Sequence, residues 1–435
     1  MKNSFLAAAI AAAIAPLSAH ATDGYFSHGY GMKAKGRGGA STAMATDSFG
    51  GAVNPATMIF AGERIDLGID WFRPDRSARR EGSAGGTGFL DGSAEGNESE
   101  NFFIPEFGYN KLLDPNLSLG ITVYGNGGMN TDYPTGQLDQ GVCQMGPPTG
   151  VRANLLCGSG NLGVDLSQLI FAPTLAYKFA PNQSVGVSPL IAYQRFKAYG
   201  LQPFAAISSD PANLTNRGYD DSWGAGVRVG YFAQLTPAFA VGAAYSTKID
   251  MQEFDKYRGL FAEQGDFDIP ENYNLGVAFN ATPALTIALD YQRINYNKVA
   301  SVGNPSNVPG TGSAALGASS SSIGFGWQNV DVIKLGVEYQ WDSRLLLRAG
   351  YNHSDNPVTS RDVTFNILAP GIVEDHLTLG FTYALQGGSE ITMAYMHAFE
   401  NSISGPANNP NFPAGGTETL EMSESSLGIA WGRKF

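Results

Sequence analysis

Residues 427–435 read LGIAWGRKF, with Leu427, Ile429, Trp431 and Phe435 on one parity and Gly428, Ala430, Gly432 and Lys434 on the other. Successive strand side chains point to opposite faces, so an apolar residue at every second position predicts a strand with one greasy face. Working outward, the same parity recurs in Ile391, Met393, Tyr395 and Phe399, in Leu377, Leu379, Phe381 and Tyr383, and in Leu285, Ile287, Leu289 and Tyr291. It continues through Trp223, Val227, Val229 and Tyr231, through Leu175, Tyr177 and Phe179, and back to Ile65, Leu67, Ile69 and Trp71. The opposite face carries Arg228, Lys248, Asp290, Gln292, Lys298, Lys334, Glu338, Arg344, Arg348, Glu374 and Glu424 among small residues.

One polar face would also suit a soluble sandwich, and the connections decide between the two. Tight turns occur at Asp114-Pro115-Asn116, Ala180-Pro181-Asn182, Thr236-Pro237-Ala238, Thr282-Pro283-Ala284, Asp342-Ser343 and Gln386-Gly387-Gly388. Between them lie long polar connections near 74–99, 127–167, 198–218, 251–268, 299–328, 354–372 and 401–418. Short turns alternating with long loops predict a transmembrane barrel, turns on the periplasmic side and loops outside. Six turns and seven loops give fourteen antiparallel strands, with both chain ends on the periplasmic side.

Met1 to Ala21 has an early Lys2, an apolar run from Phe5 to Leu17 and an Ala19-His20-Ala21 end, which predicts a secretory signal peptide. No stretch reaches the roughly 18 to 20 apolar residues of a membrane-crossing helix. The net charge of −12 argues against nucleic acid as a partner. Cys143 and Cys157, in a Gly/Pro-rich segment, are expected to form a disulfide tying one long loop, worth about 3 kcal/mol on chain-entropy grounds. No residue pattern calls for a metal or cofactor. The histidines are scattered, and no Ser, His and acid arrangement indicates an enzyme.

Residues 22–62 are not needed for fourteen strands, and Gly36 to Phe60 is rich in small residues and lacks alternation. They are expected to form a plug, or hatch, inside a barrel of residues 63–435. Asn54-Pro55-Ala56 supplies a capped rigid turn within it, because Asn caps helices well and Pro suits the first helical position. The aromatic last residue resembles the insertion signal of bacterial outer-membrane barrels. With Asn54-Pro55-Ala56, Tyr124-Gly125-Asn126-Gly127-Gly128, Ile269-Pro270-Glu271, Asn356-Pro357-Val358 and Tyr395-Met396-His397, the chain resembles the FadL family of outer-membrane transporters of long-chain fatty acids and other hydrophobic compounds.

That resemblance implies a monomer in the outer-membrane lipid. It implies a hydrophobic ligand caught by outer loops, held near the hatch, and released sideways into the bilayer at a kinked third strand. Gly125, Gly127 and Gly128 would free the backbone for such a kink. Long-chain fatty acid is the first expectation for the substrate and aromatic hydrocarbon the alternative. A diffusive porin is a third possibility that the plug disfavours, and an adhesive barrel is disfavoured likewise.

The expected substrate contacts are Lys298 and Tyr296 at the outer end of strand nine, where parity places Lys298 on the lumen face, and Arg195. Lys298 and Arg195 resemble basic positions of the family's fatty-acid pocket. Alternation puts Arg195 with Ile191, so either a bulge turns it inward or it sits at the membrane rim. Phe72, Phe102 and Phe232 point inward, as pocket wall or as packing for the hatch. Arg228, Lys248, Arg344 and Arg348 are expected to pair with Asp70, Asp290, Glu338 and Glu374, and the apolar clusters 201–207 and 254–261 to form an outer capture site.

Overall fold

The computed structural model describes residues 22–435, so the signal-peptide reading lies outside the described residues. The wall begins with β1 (Arg64–Glu81), β2 (Phe102–Asp114), β3 (Leu117–Tyr133), β4 (Leu162–Ala180), β5 (Gln183–Tyr199), β6 (Asp220–Thr236) and β7 (Phe239–Ser246). It continues with β8 (Asn272–Thr282), β9 (Leu285–Ile294), β10 (Val330–Gln340), β11 (Leu345–Ser354), β12 (Asp375–Ala384), β13 (Ser389–Pro406) and β14 (Thr417–Lys434). Each strand pairs antiparallel with its chain neighbours, and β14 closes on β1 from Lys434 opposite Arg64 to Thr417 opposite Glu81. The result is a fourteen-stranded antiparallel barrel.

Closure is what a lipid environment demands, since every backbone N–H and C=O at membrane depth must find a partner within the protein. The alternation translates directly into two faces. Leu67, Ile69, Trp71, Leu289, Leu379, Ile429 and Trp431 are exposed on the outer surface, while Asp66, Asp70, Asp290, Lys334 and Glu338 are buried inside.

The wall is taller on one side than the alternation predicts. The strands β1, β13 and β14 run 18 residues each, beyond the roughly 9 to 11 of a tilted crossing. Residues 74–81 and 401–406 therefore belong to strands and not to loops. Alternation persists there with polar residues on both faces: Arg76 and Arg80 are buried, whereas Arg73 and Arg79 are exposed. A search for apolar residues at every second position loses a strand once it leaves the lipid.

The lumen is filled from both ends. Residues 22–62 make short helical turns at Met32–Lys35, Gly50–Ala52, Pro55–Thr57 and Met58–Ala61, inside the wall. The long loops fold over the opposite mouth in one large cluster containing Phe196, Phe204, Phe254, Phe261, Phe325 and Trp327. Cys143 and Cys157 are disulfide-bonded in the connection after β3.

Candidate functional site

The seat of the hatch starts from three residues. Asn54 is extended and caps the turn that follows, its side chain accepting the N–H of Ala56 at 3.1 Å, while Pro55 occupies the first helical position. The same side-chain amide donates to the carbonyls of Thr42 (2.8 Å) and Tyr231 (2.9 Å), joining two parts of the hatch to β6. The motif lies so close to the wall that only glycine fits opposite it. A Cβ added at Gly230 would stand 2.1 Å from Asn54 Oδ1, and one added at Gly186 2.4 Å from the Pro55 carbonyl carbon. Across the lumen, a Cβ at Gly350 would stand 2.1 Å from the Arg37 carbonyl carbon.

Charge locks the same part of the hatch. Lys33 pairs with Glu390 (2.6 Å), Lys35 with Asp70 (2.5 Å) and Arg37 with Glu338 (2.6 Å), and Glu338 also takes Arg348 (2.6 Å). The backbone N–H groups of Ser41 and Thr42 donate to Asp290 Oδ2 at 2.7 and 2.8 Å. A buried ion pair adds little net stability compared with apolar packing, but removing one partner strands the other. The hatch therefore needs its seat as much as the seat needs the hatch.

These pairings revise the expected lumen network. The wall's acids are met largely by the hatch's own cations, which sequence reasoning passed over. Asp290 accepts backbone amides, Arg228 donates to Gly51 O (2.8 Å) and Tyr124 Oη (3.0 Å), and Lys248 pairs with Asp268 in a loop. Arg344 is exposed in a short turn, so only Arg348 with Glu338 matches the expectation as written.

The N-terminal turn is held differently. Pairing between β2 and β3 stops at Phe107 opposite Val123, and β3 runs on against β4 with a register shift between Gly125 and Gly127. Where β2 would continue, the hatch takes its place: Ser27 N–H donates to Asn126 O and Gly128 N–H to Tyr25 O, each at 3.0 Å. A Cβ on Gly127 would lie 1.7 Å from Tyr25 O, so this approach requires glycine there. Lys334 pairs with Asp23 at 3.1 Å and donates to His28 O at 2.8 Å. Burial, aided by Lys35, His376 and Lys334, pulls His28 well below the ordinary imidazole value.

Above this floor lies a narrow apolar cavity of about 30 Å³, closed down by the side chains that line it. Among the described residues its lining is five phenylalanines (Phe196, Phe204, Phe261, Phe325 and Phe365), seven aliphatic side chains, Ser301 and Gly324, with no charged group. The clusters 201–207 and 254–261 do come together here through Leu201, Phe204 and Phe261, which are buried, and Leu260, which is half-buried, as pocket wall and not as an exposed capture patch.

Other expected contacts sit elsewhere. Lys298 is exposed, because β9 ends at Ile294 and a 3₁₀ turn over Tyr296–Lys298 breaks the two-residue parity that placed it in the lumen. Tyr296 is fully buried against Tyr25, Phe26 and Trp327. Arg195 stays on the outward parity at the rim, its guanidinium 4.4 Å from the centre of the Tyr219 ring, with no register shift in β4–β5 pairing from Gly163 to Phe171. Its neighbour Phe196 is the lumen residue. Phe232 packs on Phe60 of the hatch (5.1 Å between ring centres), and Phe72 lies 6.4 Å from Phe102 in the large interior cluster.

Residues 8–431 match the model of the family described as outer membrane protein transport protein (OMPP1/FadL/TodX). A comparison with curated proteins returns no match. Among solved structures the chain is similar to the toluene transporter TodX of Pseudomonas putida, at 17% identity over 94% of this chain and 99% of that one, with a TM-score of 0.67. It is similar to a FadL homologue of Pseudomonas aeruginosa at 16% identity over 95% and 100%, with a TM-score of 0.70. The toluene transporter TbuX of Ralstonia pickettii follows at 18% identity over 94% and 99%, with a TM-score of 0.62. At these identities the structural likeness speaks to fold alone.

Proposed function

Because the chain belongs to the OMPP1/FadL/TodX family of outer-membrane transport proteins, we propose that it takes up uncharged hydrophobic compounds, monoaromatic hydrocarbons among them, by passive passage through the loop-covered pocket. Transport of hydrophobic compounds across the bacterial outer membrane is the family's activity, and its members are not enzymes. The observation that carries the proposal is the uncharged lining of the pocket. An unpaired carboxylate there would lose several kcal/mol of solvation, whereas each buried CH₂ contributes roughly 0.8 kcal/mol.

Residues 22–62 act in this proposal as the hatch and 63–435 as a monomeric barrel, with Met1–Ala21 removed as a signal peptide. The interrupted ladder between β2 and β3 supports a sideways exit into the bilayer at Gly125, Gly127 and Gly128. Such a route spares an apolar solute from rehydration in the periplasm.

A long-chain fatty acid is the second reading. It is supported by Arg228 and Lys334, which face a small polar gap shared with Asp290, Asn274 and Gln292 beneath Phe26 and Tyr30. Binding of toluene and of oleate to the refolded barrel, with Lys298→Ala and Arg228→Met alongside, separates the two. Toluene binding indifferent to both substitutions is the expected outcome. Oleate binding weakened by Arg228→Met, with toluene ignored, would install the fatty-acid reading, and binding of neither would overturn both.

A further inference from the structure

One phenolic hydroxyl joins the pocket to the floor beneath it. Tyr296 Oη donates to the carbonyl of Asp23 at 2.6 Å and accepts the N–H groups of Tyr25 at 3.0 Å and Phe26 at 3.3 Å. A phenol has one proton to give and two lone pairs to share, so this buried hydroxyl is wholly committed to the N-terminal turn of the hatch. The turn in turn carries Ser27 and Tyr25, whose backbone fills the gap beside β3.

Tyr296 belongs to the connection between β9 and β10, and that connection also builds the pocket wall with Ser301, Ile323, Gly324 and Phe325. Hydrogen bonds run from one to the other without a break. Phe325 N–H donates to Ser301 O (3.3 Å), Trp327 N–H to Val302 O (3.0 Å), Val302 N–H to Val299 O (3.0 Å) and Val299 N–H to Tyr296 O (3.2 Å). The Trp327 ring meets Tyr296 edge-on at 5.2 Å.

We propose that Tyr296 is a latch, a positioning residue whose hydroxyl holds the Asp23–Phe26 turn closed over the β2–β3 gap and releases it when a ligand displaces the Ser301–Phe325 wall of the pocket. The proposal rests on the transport reading above. A ligand shifts such an equilibrium only by the difference in its affinity for the two states, and the shared connection is what lets the pocket sense the state of the turn. Release leaves the Tyr25 amide without its acceptor and the Phe26 amide with the Asp23 carbonyl alone, at 3.4 Å. The pairing of Tyr25 and Ser27 with Gly128 and Asn126 is then the last backbone tie across the gap.

Tyr296→Phe keeps the ring and removes only the hydroxyl. Amide hydrogen exchange in the barrel held in nanodiscs should then be faster in the peptide spanning residues 22–30 by about tenfold, with exchange across 50–60 unchanged. Toluene should speed exchange of 22–30 in the parent protein and add nothing in the variant. Tyr257→Phe serves as control. Its hydroxyl also bridges outer segments, accepting from Ala198 N–H (3.0 Å) and donating to Gly218 O (2.6 Å), but does not touch the hatch, and it should leave 22–30 alone. Unaltered exchange of 22–30 in Tyr296→Phe, or an equal change in Tyr257→Phe, would overturn the latch. A parent protein that ignores toluene while Tyr296→Phe still loosens 22–30 would instead overturn the transport reading and the ligand coupling, leaving a structural clasp.

Discussion

The two ends of the hatch meet the barrel through different chemistry. From Lys33 to Phe60 the contacts are ion pairs and backbone pressed against glycine: Lys33, Lys35 and Arg37 each face a wall carboxylate, and Asn54-Pro55 lies over Gly186 and Gly230. From Thr22 to Ser27 the polar ties are one ion pair, the hydroxyls of Tyr296 and of Tyr25 (the latter donating to Asp268 O at 3.5 Å), and two backbone hydrogen bonds to a strand that has lost its other neighbour. The first set is costly to break one bond at a time, because each break strands a buried charge or needs space that does not exist. The second strands a buried charge only at Asp23 and Lys334, and its other ties are neutral hydrogen bonds that can exchange partners locally. The difference teaches that a barrel can stay plugged in bulk while one end of its plug remains adjustable.

The sharpest test of the tight half is Arg37→Met, which leaves Glu338 with Arg348 alone. It should cost about 1.5 to 3 kcal/mol of hatch stability, the loss of a hydrogen bond to a charged group, read as faster amide exchange over residues 32–40. Unaltered exchange there would break the distinction between the halves. Gly230→Val comes next. Its Cβ would fall 2.1 Å from Asn54 Oδ1, and crowding of this kind costs about 1 to 3 kcal/mol. Looser exchange over 50–60 and raised planar-bilayer conductance are expected, with 22–27 unaffected. A variant as tight and silent as the parent would mean that the glycines are not part of the clamp.

The smallest effect concerns the cover of the adjustable end. Phe267 packs on Tyr25 (6.1 Å between ring centres), and its neighbour Asp266 is pushed up to about 7 by burial and by the nearby Asp268 carboxylate. A carboxyl with a raised folded value binds its proton more tightly when the loop is folded. Its stabilising contribution is therefore present in acid and fades as pH rises from about 4 through 7. Protection over residues 250–270, taken relative to the intrinsic exchange rate at each pH, should fall across that window in the parent and stay flat in Asp266→Asn. A flat parent profile would remove Asp266 from the cover.

Much of the fold could be read from residue order, since pleating converts sequence parity into inside and outside wherever one face meets lipid. Ile69 and Trp71 out, Asp66 and Asp70 in, is that rule at work. It failed where its premise did. Above the membrane both faces of β1 are polar, so residues 74–81 carry no apolar alternation to mark them as strand. Past Ile294 the chain is no longer a strand, so counting by twos misplaced Lys298. The candidate site was less legible. The runs SIGFGW (322–327) and VTFNILAPGIV (363–373) supply Phe325, Phe365 and Leu368 to the pocket, and their apolar character is the sequence signal for it inside otherwise polar connections.

By itself, then, the amino-acid order determined a fourteen-strand barrel, a separate N-terminal segment to fill it and the family resemblance, because these depend on periodicities and turns a few residues long. Which charges meet was decided only by the tertiary structure. Lys35 finds Asp70 35 residues away and Arg37 finds Glu338 301 residues away, and Tyr296 reaches Tyr25 across 271. Contacts at such separations are set by where closure of the barrel brings opposite walls to a common plug, and no local pattern in the chain encodes that distance.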